Sequence, residues 1–364
     1  MKRINMIWIA LILGSYSILN AHDFAATTPN GQKLYFNITN RVNKQVELTF
    51  QGSISSPTPS PYKGDIVIPS TIKHNNALYR VTSIGQKAFS NATSLKSIVL
   101  PSGLLSINDF AFEGCTSLEN IVFPGNAVRF GEGTFFRCNA ISQVTLGSDW
   151  TQVNLKMFRW SNRLSSLFIP AKIQQLQNMK ALKCLKEIKV DDNNPKFTTI
   201  DGILYNKTKS ILLGCPRGYA NKIKVPEGVE TIHRGAFIDC PNITSVDLPA
   251  SLNVISFREF SRMKQLTQII MRSEKPLLTA GANNEKRFLL QVSDNRKTKL
   301  IVSKAAQDTY KEAICSTEGE YTELSGNTSN GTSPDYTLLP LTVKANNLLD
   351  KKSIVGVKKF SKYE

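Results

Sequence analysis

A period of 23 residues constrains this chain more than any other feature. Phe89, Phe112, Phe135 and Phe158 are spaced by 23. Ile84, Ile107, Phe130, Val153 and Leu176 keep that spacing, and so do Leu95, Leu118, Ile141 and Leu164. Ile98, Ile121, Val144 and Leu167 make a fourth register. Apolar registers that recur together at this period are the signature of a solenoid. A unit so short cannot bury its apolar side alone. Stacked units share one continuous core, and each touches only its neighbours.

The order within a unit is constant. An Ile–Gly step or its equivalent comes first, then Ala–Phe on a short turn or a single helical turn. A polar turn with Asn, Gly or Cys follows, and then a strand of pattern Leu-x-x-Ile-x-Leu. Pro101, Pro124, Pro170 and Pro249 close such strands, because proline has no amide to donate onward. The Leu and Ile positions point inward and the residues between them outward. Successive strands are expected to form one parallel sheet, with the phenylalanines stacked across the core. The coil over 176–191 is the most degraded, with Ala181 where phenylalanine is expected.

The rest of the chain is read against this period. Residues 1–21 have a basic start, an apolar run and Ala21, which reads as a secretory signal peptide. No cysteine follows the run, so a lipid anchor is not expected. Residues 22–83 read as an N-terminal β cap, with a hairpin from 34–39 and 45–50, a proline-rich break at 55–62 and a strand in 64–72. Repeats occupy 84–190. Residues 191–222 break the period and read as an inserted β-hairpin, with a turn signal at Asp201–Gly202 and another turn at 206–208. Repeats and a C-terminal cap occupy 223–318, with a last strand at 298–302 and a short closing helix at 304–313. Residues 319–364 read as a linker rich in Gly, Ser, Thr and Asn and a tail with two apolar runs. Such a tail is too short for a core of its own.

The formal charge of +17 is spread along the chain, with local runs at 180–189, 286–299 and 351–359. It suits an electrostatic contact with an anionic cell envelope or an acidic glycan, or simply a solvated surface. No specific nucleic acid is expected. The six cysteines fit neither a zinc module nor a dense disulfide framework. Cys115, Cys138 and Cys240 each lie three residues after an anchor phenylalanine, and read as one small buried position in successive coils. A disulfide between Cys115 and Cys138 is geometrically conceivable.

Chemistry is sparse. The three histidines, His22, His74 and His233, have no partner in any catalytic spacing. No HExxH, GxSxG or phosphate-cradling glycine loop is present. Asp191 and Asp192 could ligate calcium but read better as the polar start of a loop. No enzyme activity, cofactor or metal is expected. What remains is surface. The outward row on the strands is Val99, Val122, Thr145, Phe168 and Lys189, continuing to Lys224, Asp247 and Ile270. Apolar residues there read as a binding site, or as β-branched residues suited to exposed strands. Trp150, Arg159, Trp160 and Arg163 read as a loop cluster that anchors a protein or stacks on sugars, or as one tryptophan filling a gap.

Several segments carry a family resemblance. They are the Ile84–Gly85 and Ala88–Phe89 pairs, Leu95, Ile98, Leu100 and Pro101, and their equivalents over 107–124 and 232–249. The segments LYFNIT, GDIVIPSTI, DGILYN and VSKAAQDTYKEA add to it. Over 34–313 the chain resembles the BspA-type leucine-rich repeats of surface and secreted proteins from gut and oral Bacteroidales and some parasites. The resemblance implies export and an α/β leucine-rich-repeat solenoid with coils of about 23 residues and a strand-lined face. It also implies, for some members, adhesion to matrix proteins or other bacteria. The expected function is a monomeric, non-enzymatic, secreted or surface protein that binds an extracellular protein or glycan. A structural envelope component and an accessory carbohydrate-binding protein stay open as alternatives.

Overall fold

The structure is a computed structural model that describes residues 22–28, 31–51, 60–255, 259–260, 262–280, 286–288, 298–310 and 336–341. The readings of residues 1–21, Cys315, the linker at 319–335 and the tail's second apolar run lie outside them. The chain forms two compact units, residues 1–141 and 142–364.

In the first unit each coil contributes two strands rather than one. One ladder is Gly64–Val67, Leu95–Val99 and Asn120–Val122, all parallel. The other starts with Phe24–Thr27, Lys33–Asn40 and Gln45–Thr49, paired antiparallel. It continues in parallel through Ala77–Ile84, Ser106–Ile107 and Arg129–Phe130. The expected single sheet is therefore corrected. The Ile84 phase and the Ile98 phase are both extended, and the turn that carries the phenylalanine separates them into different sheets. The stretch 64–72 also holds two strands. Pro69 ends the first, and Thr71–His74 turns back antiparallel on Ala77–Ile84.

The turn that carries the phenylalanine is itself a ladder. Lys87, Phe89 and Asn91 donate their amides to Asp109, Ala111 and Glu113 at 2.7–3.1 Å. Phe110, Phe112 and Gly114 donate to Glu132, Thr134 and Phe136 at 2.8–2.9 Å. The turn aims alternate amides along the stacking direction with left-handed backbone at the first and last of the three donors. Positive φ accordingly recurs two residues before the anchor, at Lys87, Phe110 and Gly133, and two after it, at Asn91, Gly114 and Arg137. This explains the polar turn residues of the repeat, since Gly and Asn reach that region at least cost. Phe89, Phe112 and Phe135 are fully buried and stack face to face at 4.9 and 5.2 Å between centroids. Cys115 and Cys138 are buried thiols, not a disulfide. Their S–H groups donate to the Phe89 and Phe112 carbonyls at 3.1 and 2.9 Å.

In the second unit Gln152–Asn154 pairs in parallel with Gln175–Gln177, and Ser166–Ile169 with Glu187–Val190. Two 3₁₀ turns, Leu155–Phe158 and Met179–Ala181, follow the strands Gln152–Asn154 and Gln175–Gln177. The irregular middle is an antiparallel meander of Phe197–Ile200, Ile203–Asn206 and Ile211–Gly214. It has turns at both positions read from the sequence. Its third strand rejoins the coils by pairing in parallel with Thr231–Ile232. Asn194, fully buried at its entrance, donates to the Pro170 and Ile173 carbonyls and accepts from the Lys196 and Phe197 amides. The final sheet runs Asn221–Lys224, Ile243–Leu248, Gln268–Met271, Thr298–Ser303 in parallel. Tyr336–Leu341 from the tail adds an antiparallel edge strand, so the tail's first apolar run covers an otherwise open ladder. Near 304–313 the turn closes through the Tyr310 amide on the Ala306 carbonyl at 3.0 Å.

Candidate binding face

The strand registers place the outward residues directly. Val67 lies opposite Val99, and Val99 opposite Val122. All three are exposed, at 50%, 41% and 42%, while their neighbours Ile66, Ile98 and Ile121 are buried. The alternation is that of a strand with one wet face. Opposed side chains on neighbouring strands stand about 5 Å apart, so the three valines form a continuous apolar stripe. A polar row flanks it, in which Ser97 donates to Asp65 at 2.6 Å. Val67 extends the stripe beyond the row read from the sequence. The signal was present, because Ile66-Val67-Ile68-Pro69 repeats Ile98-Val99-Leu100-Pro101.

In the second unit Thr145 is exposed, and Phe168, 49% exposed, faces Lys189 across the ladder. Lys189 pairs with Glu187 of its own strand at 3.1 Å. Both side chains are well exposed, so the pair adds little stability. Farther on, Lys224, Asp247 and Ile270 stand in register, with Asp247 held by Nε and Nη2 of Arg272, each at 2.7 Å. A bidentate pair of this kind is geometrically fixed.

The aromatic–arginine cluster separates. Arg159 lies over the Trp160 ring at 5.4 Å, a cation–π arrangement at the surface. Arg163 is exposed. Trp150 is corrected: it is 3% exposed and part of the core, where it cannot anchor a partner. Asp191 accepts from the Asn193 amide at 2.9 Å, a loop-starting turn. Among the described residues no group of three or more His, Cys, Asp or Glu could hold a metal, and no helix is long and apolar enough to cross a membrane. The sequence reading passed over one polar cluster, around Lys180, Cys215, Cys240 and Glu259. Its members come from separate coils and share no spacing.

Solved structures of other repeat proteins resemble the chain at low identity. The pneumococcal vaccine antigen PcpA is 17% identical, with 81% of this chain and 96% of that one covered and a TM-score of 0.45. A leucine-rich repeat protein from Bacteroides ovatus is 19% identical, covering 69% and 72%, with a TM-score of 0.44. A leucine rich cell surface protein from Faecalibacterium prausnitzii is 21% identical, covering 69% and 77%, at 0.39. All three scores fall below 0.5, so family assignment rests on the repeat pattern rather than on these neighbours. A comparison with curated proteins finds no match. The profile of the BspA type leucine rich repeat region matches in six copies, over residues 70–187 and 204–284, more than half of the chain. With its stacked parallel ladders, the chain belongs to the BspA-type leucine-rich repeat family.

Proposed function

We propose that the protein is exported through residues 1–21 and binds an extracellular protein or glycan with its outward strand rows, as a monomer. The observation that carries this reading is the in-register valine stripe, Val67, Val99 and Val122, left exposed beside a polar row. Phe168 with Lys189, Thr145, and the surface set of Arg159, Trp160 and Arg163 are the second-unit contacts of the same reading. Rigid, repeated surfaces of this kind suit extended partners. The reading takes the coil as 23 residues with turns on its back face and residues 191–222 as an insertion. It also keeps the cap, repeat and tail limits at 22–83, 84–190, 223–318 and 319–364.

The net charge of +17 favours a second reading, an envelope component held by charge alone. One experiment separates the two. The protein is tested on arrays of matrix proteins and glycans at low and moderate salt, beside Val99→Asp/Val122→Asp and Arg159→Ala/Trp160→Ala variants. Selective binding that survives moderate salt and is lost in the valine variant supports the stripe. Broad binding that vanishes with salt and ignores both variants overturns it in favour of charge.

A further inference from the structure

Ala181 stands at the phenylalanine phase of its coil, and the neighbouring lysine carries its ammonium to residues of later coils. Lys180 Nζ donates to the Ala236 carbonyl at 2.9 Å, to the Cys215 carbonyl at 3.3 Å and to the Cys240 sulfur at 3.3 Å. Cys215 and Cys240 are fully buried, and the Cys240 Sγ lies 3.8 Å from the Cys215 carbonyl oxygen. The Cys215 amide is tied to the Ala236 carbonyl at 2.9 Å, which holds its loop against the turn that carries Cys240. Glu259, also fully buried, accepts from the Gly235 and Phe237 amides of that turn. Met179 packs over Gly214, where a Cβ would overlap its terminal methyl, and so delivers Lys180 to the pair.

We propose that Cys215 and Cys240 are a redox-active dithiol that closes to a disulfide by exchange with a small disulfide, Lys180 being the positioning residue for Cys240. The Cys240 thiol loses its proton to solvent, and the thiolate attacks one sulfur of the donor disulfide. A mixed disulfide forms and the first donor thiolate leaves. Cys215, deprotonated in turn, attacks the Cys240 sulfur and expels the second donor thiolate. Two protein thiols are oxidised to one disulfide, one donor disulfide is reduced to two thiols, and the two protons pass to the leaving thiolates.

The electrostatics fit this division of labour. The hydrogen bond from Cys215, and then the charge and hydrogen bond of Lys180, pull the Cys240 thiol down to about 7 against the cost of burial. Burial holds Cys215 well above the usual thiol value, so Cys240 is the group that ionises and attacks. The Cys115–Cys138 pair is the internal control. Its thiols donate to backbone carbonyls, as those of Cys215 and Cys240 do, but among the described residues no lysine is hydrogen-bonded to either, and burial raises Cys115. Lys180 itself is only half-buried, so the reactive pair lies one side chain from solvent.

The test takes the reduced full-length protein at pH 7 with oxidised glutathione, traps free thiols by alkylation, and maps the products by intact mass and peptide mass spectrometry. The expected product has lost two hydrogens and links Cys215 to Cys240, with Cys115 and Cys138 alkylated after denaturation. In Lys180→Gln the lysine's charge and hydrogen bond are lost while the contact with Cys215, the larger cause, remains, so the Cys240 thiol rises from about 7 toward its ordinary value. The thiolate fraction at pH 7 falls, closure slows, and its pH midpoint moves up; Lys180→Arg moves it back toward 7. A Cys115–Cys138 link in place of the expected one overturns the proposal. So does the absence of any link while the fold is intact, or a Lys180→Gln midpoint unchanged from the parent.

Discussion

Asn194 gives the sharpest test of how the period survives its interruption. The side chain is fully buried and makes four hydrogen bonds. It donates to Pro170 at 3.0 Å and Ile173 at 2.8 Å, and accepts from Lys196 and Phe197, each at 2.9 Å. It thereby ties the turn of one coil to the first strand of the meander. Asn194→Ala removes all four. The Pro170 carbonyl keeps the Ile173 amide at 3.3 Å, so three backbone groups are left bare. At about 1 kcal/mol net for each lost bond, with more where a buried group stays unsatisfied, the cost is about 3–4 kcal/mol.

The assay is urea unfolding followed by circular dichroism, with Asn193→Ala as the neighbour. Asn193 is exposed, so that control should fall within about 0.5 kcal/mol of the parent. Asn194→Asp should cost at least as much as Asn194→Ala near pH 7. It keeps the acceptors but sets a carboxylate against two carbonyl oxygens, and a buried unpaired charge is dearer than a lost bond. Below the pKa of the new carboxyl it regains one donor and part of the loss. An Asn194→Ala cost under 1 kcal/mol, or one no larger than that of Asn193→Ala, would refute the reasoning.

Two further outcomes follow from the turn ladder and the buried acid. Lys87 is exposed and holds φ at 56°, where the equivalent residue of a later coil is Gly133. Lys87→Gly should therefore raise stability by up to about 1 kcal/mol in the same urea assay, and a loss of stability would count against the strained-backbone reading. Glu259 is raised above its ordinary value by burial, with the two amides, Lys180 and His233 pulling the other way. The folded state then binds the proton more tightly than the unfolded one. This contribution is fully present below the unfolded value near 4.5 and is lost as pH rises through the raised folded value. Thermal melts across that window should show a falling contribution that Glu259→Gln removes, and an identical pH slope in the variant would contradict it.

Whatever repeats by translation was legible in the sequence. The inward registers Phe89–Phe112–Phe135 and Ile98–Ile121 are fixed by stacking, and each additional coil states them again. The second sheet was hidden because its strands are two residues long, Ser106–Ile107 and Arg129–Phe130, too short to show an alternation. Trp150 misled because aromatic residues serve cores and interfaces alike, and no repeat position constrains it. Lys180 was hidden for the opposite reason: its partners Cys215 and Cys240 come from coils on the far side of the meander. Only the fold brings such residues together.

The outward row raises the harder question of whether exposed valines mean a partner at all. A β-branched side chain suits an exposed strand, so valine alone proves nothing. Thr145 occupies the same phase of the repeat and is exposed on its own strand. Threonine matches valine in shape and in strand preference, and differs in carrying a hydroxyl to water. The strand geometry is therefore met equally well by a polar isostere. Keeping Val67, Val99 and Val122 apolar on three successive strands leaves unfavourable surface in water that the fold does not require. Three such residues in one register, rather than scattered singly, point to a surface meant to be covered. Val99→Thr with Val122→Thr should then leave the unfolding midpoint within the error of the parent while weakening the binding that the stripe carries.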